Sequence, residues 1–580
     1  MRKLFLCFLL FLGFLGFTNK TMGQFAGGSG TEADPYLIST PDHLVQLFYY
    51  LGNTNVHFKL KNNIDLTSYL AVGGDGYNDG AGWNPIGNAA NKFCGKTFNG
   101  AGFKITGLWL NRNSSSFDYF GLFGYIDGTN ISNLGVEIAI AGVSSNSYVG
   151  GLSGYCKNAI ISNCYVTGNI NGNGGGLVGA IERTTITNCY ATSNVTGGSG
   201  GGLVGSSSGI TQMSYITDCY ATGNVSGNPN LESGGGLVGS TSGTIISNCH
   251  ATGNVTGNNT NNNFDAGGFG GLVGQIDPSF NCSITNCYAT GTITSNRNAG
   301  GLVGNIIIRD KKASISNCYA TGNITTTGNG SNDGRAGGLL GNSGGSTITK
   351  CYAIGNVSGT KYVGGLIGFG GGTITNCYAN LGNISGIDYV GGLLGCPSGT
   401  ITNCYAAGNV SGNNNVGGFI GYNYSNVNNS FFDYQTTGQL YAIGSGGGGN
   451  VMGKSTVEMK TKTTFTSVGW DFTTIWNINE GVTYPFFLPV VGINDMVQNI
   501  NVQLYPNPTY GEFRIESGEL KIKSVDIFDV FGKNIGFNTQ IPSENSETAV
   551  VINISHLSSG VYFVRVSTDA GEVVKKVVKE

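Results

Sequence analysis

A five-residue glycine block of the pattern G-G-[LF]-[SVLI]-G recurs ten times in this chain. The blocks begin at Gly150, Gly175, Gly201, Gly235, Gly270, Gly300, Gly337, Gly364, Gly391 and Gly417, at intervals of 25 to 37 residues. Self-similarity at such a period is typical of solenoids. Between the blocks, short β-branched runs such as 400–402 alternate with Gly and Asn turn signals, which indicate strands rather than helices. The pattern therefore predicts an all-β chain coiled into a parallel β-helix.

A second motif, I-[ST]-x-C-[YH]-[AV], alternates with the blocks nine times. Its cysteines are Cys164, Cys189, Cys219, Cys249, Cys287, Cys318, Cys351, Cys377 and Cys404. Parallel rungs stack about 4.8 Å apart, so equal positions form ladders of like side chains. We expect the Cys, the Ala after it and a later Val to point inward, and the Tyr to point outward. In a straight strand, the Ile three residues before the Cys would face the opposite side from the Cys. If both point inward, the chain must bend at the residue before the Cys, which is Asn in seven of nine units.

The cysteines raise the question of disulfide bonds. Fourteen cysteines in an exported chain would suggest them, but nine occupy one repeat position, an odd number without a natural pairing partner. We predict buried free thiols that pack as small apolar side chains, and a serine in their place should lack a hydrogen-bond partner. A bridge among Cys94, Cys156, Cys282 and Cys396 is left open.

The N-terminus predicts export. Arg2 and Lys3 precede an apolar run over 4–17, which is too short to span a membrane and is typical of a signal peptide, here residues 1–23. We expect no transmembrane segment in the mature protein, and a location outside the cell or on its outer surface after passage through the periplasm. With 11% charged residues and a net charge of −3, the composition does not predict a nucleic-acid partner.

Both ends of a solenoid need caps, because an open end exposes apolar core and unpaired strands. Residues 24–135 are expected to form an N-terminal cap and the first coils, with a short helix after Thr40 and Pro41. Residues 437–490 are expected to form the C-terminal cap, since the 455–458 segment has the capping-box pattern. Aromatic residues at 470, 472, 476 and 484 are interpreted as the core of this cap; a sugar-binding platform is the alternative.

The glycine blocks, as in 235–239, resemble the GLUG repeat of bacterial surface and adhesin-like proteins. Stretches at 27–38, 63–66, 83–87 and 98–105 are also similar to the N-terminal parts of such proteins, so the resemblance spans about 27–487. The repeat array itself is placed at 136–436. The resemblance implies a right-handed β-helix on the cell surface and no particular reaction.

The composition changes after residue 495. Residues 495–580 carry 19 charged side chains in 86 positions, against 17 in the 281 positions of 150–430. Alternating runs such as 561–566 predict a small Ig-like antiparallel β-sandwich.

This segment resembles the type A C-terminal sorting domain of the type IX secretion system of Bacteroidetes. The matching stretches are 505–508 with Gly511, 531–533, 557–562 and 575–578. The resemblance implies export across the outer membrane by that machinery, followed by removal of the domain, and places Gly560, Tyr562, Lys575 and Lys576 in the sorting signal.

Catalytic patterns are sparse. Polysaccharide lyases and glycosidases, which often are β-helices, need convergent carboxylates, but the acids between 150 and 430 fall at non-equivalent repeat positions. Asp75 and Asp79 fit a turn better than a calcium site, and the glycine blocks lack the Lys-Ser/Thr ending of a phosphate loop. We predict no enzyme, no cofactor and no metal site. A polysaccharide-degrading enzyme is the first alternative.

A second alternative is an ice-binding solenoid, because Ser/Thr-Ile-Ser/Thr recurs in six of nine units and would form outward hydroxyl rows. Outward threonines also suit any soluble strand.

The binding residues are expected in insertions of the middle repeats. These insertions lie at 206–215, 228–234, 258–267, 275–282, 305–313 and 327–335. Insertions loop out from a coil and commonly form its recognition surface. Arg309, Lys311 and Lys312 form a basic cluster there, and Arg335 lies in the next insertion. The sequence predicts an adhesin-like surface protein that uses these four residues to bind an extracellular glycan or protein.

Overall fold

The computed structural model describes twelve stretches of the chain: 25–112, 118–209, 212–227, 233–258, 267–328, 334–380, 382–488, 502–517, 521–528, 539–540, 549–568 and 571–579. The signal peptide predicted over 1–23 lies outside them. Two compact units meet in the sequence between Phe486 and Phe487. The first unit is the predicted parallel β-helix, in which two long parallel sheets stack coil upon coil.

The first sheet holds two strands of each coil. Row 1, which follows each glycine block, comprises Phe123–Asp127, Ser153–Lys157, Val178–Glu182, Val204–Ser208, Val238–Ser242, Val273–Ile276, Val303–Ile306, Leu340–Asn342 and Ile443–Gly446. Row 2 comprises Tyr36–Ile38, His57–Leu60, Thr97–Asn99, Asn130–Ser132, Ile160–Ser162, Thr185–Thr187, Ser214–Thr217, Thr244–Ser247, Ser283–Thr285, Ser314–Ser316 and Ser346–Thr349. Three strands continue through both rows: Ile367–Thr375, Leu394–Thr402 and Ile420–Asn428.

The second sheet holds the other three rows. Row 3 comprises Ile64–Asp65, Tyr165–Thr167, Tyr190–Ala191, Tyr220–Ala221, His250–Ala251, Tyr288–Ala289, Tyr319–Ala320, Tyr352–Ala353, Tyr378–Ala379, Tyr405–Ala406, Ser430–Asp433 and Val451–Lys454. Row 4 comprises Asn194–Gly197, Val225–Gly227, Val255–Gly257, Ile293–Ser295, Ile324–Thr326, Val357–Ser358, Ile384–Ser385 and Val410–Ser411. Row 5, which leads into each block, comprises Tyr119–Phe120, Gly200–Gly201, Gly234–Gly235, Phe269–Gly270, Ala299–Gly300, Ala336–Gly337, Lys361–Gly364, Asp388–Gly391 and Asn414–Gly417. Longer strands joining these rows are Lys104–Asn111, Gly135–Gly150 and Asn169–Gly175.

The coils stack in register, so the predicted ladders form. Ile161 pairs with Ile186, and Tyr165 pairs with Tyr190, in the next coil. The Ile, Cys and Ala side chains of the motif fill the interior and are at most 2% exposed. The bend before each Cys is confirmed, because all nine of these residues have φ between 52° and 55°. Asn suits this left-handed conformation better than other non-glycine residues.

The thirteen described cysteines are free thiols, as predicted for the ladder, and no bridge joins the four outside it. Burial raises the pKa of the Cys156 thiol to about 12. The expectation that a serine would lack a partner in the ladder is wrong. Ser430 occupies the ladder position in the last rung, where its Oγ donates to the Asn428 carbonyl at 2.8 Å and accepts from the Cys404 N–H at 3.2 Å.

The glycine blocks are tight turns from row 5 into row 1. At each of the three glycines a side chain would collide with a different neighbour. In the block at 235–239, a Cβ on the first glycine would overlap the carbonyl of Val238. A Cβ on the second would overlap the next block and lie 2.9 Å from Ala251 across the interior, and one on Gly239 would overlap the preceding block. The Leu or Phe in the middle of each of the ten blocks is fully buried.

Both caps contain short helices, as predicted. At the N-terminal end, Thr40 caps helix Pro41–Gln46, and a 3₁₀ turn follows over Leu47–Tyr50. Another 3₁₀ turn spans Asn78–Gly80. The C-terminal end has helices Tyr434–Thr437, Thr456–Met459 and Lys462–Thr466, the second with the expected capping box, and short strands Trp476–Asn477 and Phe486–Phe487.

The cap aromatics form a core, as the sequence predicts. Trp476 is fully buried and Trp470 is 3% exposed; their rings lie 4.6 Å apart. The Trp470 indole N–H donates to the Asn429 carbonyl at 2.8 Å. These rings pack on the outward-facing aromatic side chains of row 3 in the last coils, Tyr378, Tyr405 and Phe431.

The second unit is a two-sheet antiparallel β-sandwich. One sheet contains Gln503–Tyr505, Glu512–Glu516 and Ala549–Asn553; the other contains Ile522–Phe528, Thr539–Gln540, Gly560–Thr568 and Gly571–Lys579. A separate apolar core that includes Phe513, Ile527 and Val564 lies between them. The predicted β-sandwich is confirmed for the residues described.

Candidate functional site

The basic cluster of the middle insertions packs on the preceding insertion. The Arg309 guanidinium forms two hydrogen bonds with the Asp277 carboxylate, at 2.9 and 3.1 Å. Lys311 Nζ lies 5.4 Å from the centre of the Phe280 ring, and Lys312 Nζ donates to the Arg309 carbonyl at 2.9 Å. Burial opposes ionisation of Asp277, but the hydrogen bonds from Arg309 and Ser279 hold its pKa below the usual value. These cations thus have a local structural role.

Arg335 has different surroundings from the other three predicted binding residues. Its guanidinium lies 4.2 Å from the centre of the Phe369 ring, on the side of the solenoid where row 5 turns into row 1. We call this side the glycine edge. The basic loop 307–313, in contrast, lies between rows 1 and 2.

Two outward-facing positions flank every glycine block along the glycine edge. One is two residues before the first glycine, and the other is five residues after it. Register between coils aligns each position into a row. In the middle coils these rows carry small or amide side chains, namely Asn173, Ala180, Ser206, Ser233, Ser240, Gln275, Asn298, Asn305 and Asn342. Towards the two ends they carry aromatic rings, except at Cys396 and Asn415 near the C-terminal end.

The C-terminal aromatic cluster consists of Tyr362, Phe369, Tyr389, Tyr422 and Tyr424. Tyr362 and Tyr389 stack at 5.1 Å and 7°. Across the edge, Phe369 stands at 65° to Tyr362, and Tyr422 stands at 80° to Tyr389. Tyr424 is 69% exposed, and the other four rings are half-buried. The rings form one contiguous, partly exposed aromatic surface, and such a surface usually marks an interaction site.

Charged groups border this cluster. Besides Arg335, Lys361 Nζ lies 5.1 Å from the Tyr362 ring and 5.6 Å from the Tyr389 ring. Both cations are within the range of a cation–π interaction. The Asp388 carboxylate accepts from the Asn415 side chain at 2.7 Å, and its charge raises the pKa of Tyr389. The Tyr389 phenol therefore stays a neutral donor at physiological pH.

The N-terminal tyrosine cluster consists of Tyr119, Tyr125, Tyr148 and Tyr155, with ring centres 4.8 to 5.9 Å apart. Here the nearby cations are paired with carboxylates: Lys92 with Asp127, and Lys157 and Arg183 with Glu182.

Glu182 is central to this second network. The Tyr155 hydroxyl donates to it at 2.9 Å. Burial opposes its ionisation, but hydrogen bonds from Lys157 and Tyr155 and the nearby positive charges keep its pKa below the usual value. The cations of this cluster thus have carboxylate partners, and Lys92 Nζ also lies 5.2 Å from the centre of the Tyr125 ring.

The tyrosine ladder of row 3 is a separate aromatic feature. Eight tyrosines and His250 stack at 4.7 to 5.2 Å and at most 10°. The rings point out of the coil as predicted, but the C-terminal cap buries the last three, Tyr352, Tyr378 and Tyr405. Because the faces cover each other, the ladder offers ring edges and hydroxyls rather than a flat platform for a sugar.

The hydroxyl rows lie on row 2, as expected. The position after the buried Ile is Ser or Thr from Ser132 to Thr402, but the position before it is interrupted by Ile160, Tyr215 and Ile245.

The four residues predicted for the sorting signal belong to the second unit. Gly560 and Tyr562 belong to strand Gly560–Thr568, and the Tyr562 hydroxyl donates to the Ser558 carbonyl at 2.7 Å. Lys575 lies in the neighbouring strand Gly571–Lys579, opposite Val564. The side chain of Lys576 and the 531–533 stretch lie outside the described residues.

Asp75 lies in the loop before the 3₁₀ turn Asn78–Gly80, which contains Asp79. Within the part of the chain that the structure describes, no three His, Cys, Asp or Glu side chains are grouped as metal ligands would be.

The sequence analysis missed the C-terminal aromatic cluster, although a signal exists. Tyr-Val directly precedes the blocks at 150, 364 and 391, and an aromatic residue follows the third glycine at Tyr155, Phe369 and Tyr422. Recognising it requires knowing that the block folds the chain back so that these positions meet.

Comparisons with protein families agree with both resemblances. The family model of the secretion system C-terminal sorting domain matches residues 503–580. The model of the GLUG motif matches 145–171, 170–196, 230–256, 262–294, 295–325 and 388–411.

Similar proteins are found over part of the chain. A candidate Gly-rich membrane protein of Evansella cellulosilytica is 44% identical over 134 residues, 22% of this chain. Halomucin of Haloquadratum walsbyi is 34% identical over 149 residues, 25% of this chain. The matches span only 14% and 2% of those proteins.

Two solved structures also align. A candidate immunoglobulin A1 protease from Bacteroides ovatus aligns over 57% of this chain and 88% of its own, with 21% identity and a TM-score of 0.34. An IgA1 protease aligns over 55% of this chain and 21% of its own, with 17% identity and a TM-score of 0.34. In the described residues, no helix is long and apolar enough to cross a membrane.

Proposed function

Because the chain is a GLUG-repeat protein with a type IX C-terminal sorting domain, and hence an exported surface or secreted protein, we propose that it is an adhesin-like binding protein without catalytic activity. Its ligand is an extracellular glycan or protein. The signal peptide delivers the chain to the periplasm, and the sorting domain engages the type IX machinery. The solenoid is the part that binds the ligand outside the cell.

The observation that carries this proposal is the C-terminal aromatic cluster. An exported protein with few charged residues keeps five aromatic rings partly exposed on one edge, and two cations border them. Aromatic and Arg side chains dominate binding surfaces because they bury large areas at low entropic cost. The basic loop with Arg309, Lys311 and Lys312 is a weaker candidate, since the Arg309 guanidinium is already paired with the Asp277 carboxylate and Lys312 donates to a backbone carbonyl.

The contacts of the carboxylates support a binding role over hydrolysis. Glu182 accepts from Tyr155 and Lys157, Asp277 binds Arg309, and Asp388 accepts from Asn415. These acids belong to different coils and have structural partners. General acid–base hydrolysis needs two carboxyl groups flanking one bond.

The test uses the full chain produced in a type IX-competent host and purified from its surface. Binding to arrays of glycans and extracellular proteins is compared for the wild type, Tyr362→Ala/Tyr389→Ala and the control Tyr148→Ala. The C-terminal double variant should lose the strongest interactions while the control keeps them. Equal binding by all three proteins, or turnover of a bound glycan, would refute the proposal.

A further inference from the structure

The hydroxyl rows of row 2 are uninterrupted in five consecutive coils. In these coils both outward positions, before and after the buried Ile, are Ser or Thr. We call these ten residues the hydroxyl face: Ser283, Thr285, Ser314, Ser316, Thr347, Thr349, Thr373, Thr375, Thr400 and Thr402. The face begins after Ile245 and ends before Asn426, which hold the same position in the adjacent coils.

The hydroxyl face is a two-column grid with fixed spacings. Because the coils pair in register, each column repeats every 4.8 Å or so along the solenoid, and the two columns are separated by two residues of a strand, about 6.6 Å. The Ile between the columns is at most 1% exposed in all five coils, which holds each strand on the core. Threonine is stiff at χ1. The hexagonal lattice of ice has oxygen repeats close to both spacings.

The most regular part of this face is left to solvent. It comprises the six threonines of the last three coils, of which Thr347, Thr373 and Thr400 are exposed and the others are half-buried. Among the described residues, none forms a hydrogen bond with the side-chain hydroxyls of these six. Thr285 and Ser316, in contrast, hydrogen-bond to each other at 3.2 Å. The last three coils therefore present their hydroxyls to water as an open grid.

The hydroxyl face itself carries no charged side chain. The basic loop 307–313 precedes it in the chain, and Lys350 lies at a bend beside it. A charged group orders water in a shell of its own, whereas a hydroxyl both donates and accepts as a water molecule does. The coils of Thr373 and Thr400 have asparagine at that bend instead of lysine, so we take them as the centre of the site.

We propose that the hydroxyl face binds ice, with its hydroxyls at positions of the water lattice and the threonine methyl groups between them. Since the grid is rigid before contact, little order has to be imposed on binding. This is a second binding function of the solenoid. It does not depend on the C-terminal aromatic cluster or on the ligand proposed for it.

The coil of Thr185 and Thr187 provides a matched control within the same chain. It has the same Thr-Ile-Thr sequence as the last three coils. In the adjacent coils, however, Ile160 and Tyr215 hold the position of Thr185. The pair is thus isolated, and no lattice can extend from it.

The experiment measures how protein purified from the surface of a type IX-competent host partitions into slowly growing ice. The wild type should be enriched in the ice fraction relative to albumin, and it should slow the recrystallisation of a frozen sucrose solution. Crystalline cellulose, which also presents a regular lattice of hydroxyl groups, is tested as an alternative surface.

Two tyrosine variants assign the contact. Thr373→Tyr places a large ring in the middle of the face, so enrichment in ice should fall by about tenfold because the remaining hydroxyls are kept off the lattice. Thr185→Tyr makes the same change in the isolated coil and should partition like the wild type. Tyr215 shows that this position accepts a tyrosine. Melting temperatures are compared, and should Thr373→Tyr unfold, Thr400→Ile replaces it, since Ile245 holds that position in another coil.

Several results would overturn the ice proposal. One is a wild type that is excluded from ice as albumin is. Others are equal enrichment of Thr373→Tyr and the wild type, or an equal loss in Thr373→Tyr and Thr185→Tyr. Binding to crystalline cellulose that depends on Thr373, without enrichment in ice, would assign the face to a polysaccharide instead. Tyr362→Ala/Tyr389→Ala should still partition into ice, and its failure to do so would place the contact at the aromatic cluster.

Discussion

The Tyr405 hydroxyl donates a 2.7 Å hydrogen bond to the carbonyl oxygen of Pro485, eighty residues further along the chain. Tyr405 is the last ring of the tyrosine ladder and is fully buried. The Tyr484 ring of the cap lies 6.1 Å from the Tyr405 ring and is parallel to it within 9°. This bond therefore joins the end of the repeat array to the end of the C-terminal cap.

Tyr405→Phe keeps the ring and removes this bond. We expect the free energy of unfolding of the solenoid to fall by about 1–3 kcal/mol, because the Pro485 carbonyl loses its donor in a buried place. Tyr190→Phe is the matched control, since its ring occupies the same ladder position but is half-exposed; its effect should stay within about 0.5 kcal/mol. Denaturant unfolding measures both, and equal effects would contradict the expectation.

Substitutions of Cys287 test the packing of the cysteine ladder. The Cys249 N–H donates to the Cys287 Sγ at 3.4 Å, and the Cys287 thiol donates to the Thr285 carbonyl at 3.1 Å. Cys287→Ser should lower the free energy of unfolding by about 1 kcal/mol or less, because the hydroxyl of Ser430 makes the equivalent two hydrogen bonds in the last rung. Cys287→Val fills the space without polar groups and should cost about 1–3 kcal/mol. A valine variant as stable as the serine variant would show that these bonds contribute nothing.

The thiols should be unreactive in the folded protein. All described cysteines except Cys94 are buried, and a thiol reacts as its thiolate. Burial raises the pKa of Cys94, so its thiolate fraction at pH 7 falls below that of an ordinary cysteine and increases as the pH is raised towards 9. A disulfide-exchange reagent should therefore label at most Cys94 natively, faster at pH 9 than at pH 7.

In denaturant the same titration should detect the thirteen cysteines that follow residue 23. A lower count without added reductant would mean that some of them are oxidised.

The middle glycine of a block should not tolerate a methyl group. In Gly236→Ala the new Cβ would overlap the Gly271 carbonyl and lie 2.9 Å from the Cβ of Ala251. Two stacked backbones cannot separate without opening the sheet, so we expect the free energy of unfolding to fall by about 3 kcal/mol or more. Gly448→Ala is the control, because nothing lies within 4 Å of its added Cβ. Thermal melting should separate the two variants, and similar melting temperatures would refute this account of the blocks.

Mass spectrometry of the surface protein tests processing. Residues 1–23 and the domain after about 495 should both be absent, since the first is a predicted signal peptide and the second is a sorting domain. A surface form that retains strand Gly571–Lys579 would contradict removal of the domain. Deleting 495–580 should leave the chain in the periplasm.

The repeat pattern was enough to predict the coil and its interior. Ile and Cys recur in all nine units and Ala in eight, which determines the ladders; Asn precedes the Cys in seven, which favours the left-handed bend. The helix after Thr40 and the aromatic cap were predictable because their signals are local in sequence.

The surface was not predictable in the same way. Phe369 and Arg335 are in contact only because consecutive coils align. Arg309 likewise binds Asp277, which lies 32 residues earlier in the chain. Sequence distance gives no sign of such partners, so Arg309 and Arg335 were expected to act together. The structure instead places them on different sides of the coil.

The three glycines of each block have a consequence for how such a protein changes over generations. Every block meets its neighbours through bare backbone, so one repeat presents the same interface as any other. A gene duplication or deletion that adds or removes one whole repeat leaves an intact core on both sides of the junction. The number of repeats can therefore change without loss of the fold, and each added or deleted repeat changes the length of the solenoid by about 4.8 Å.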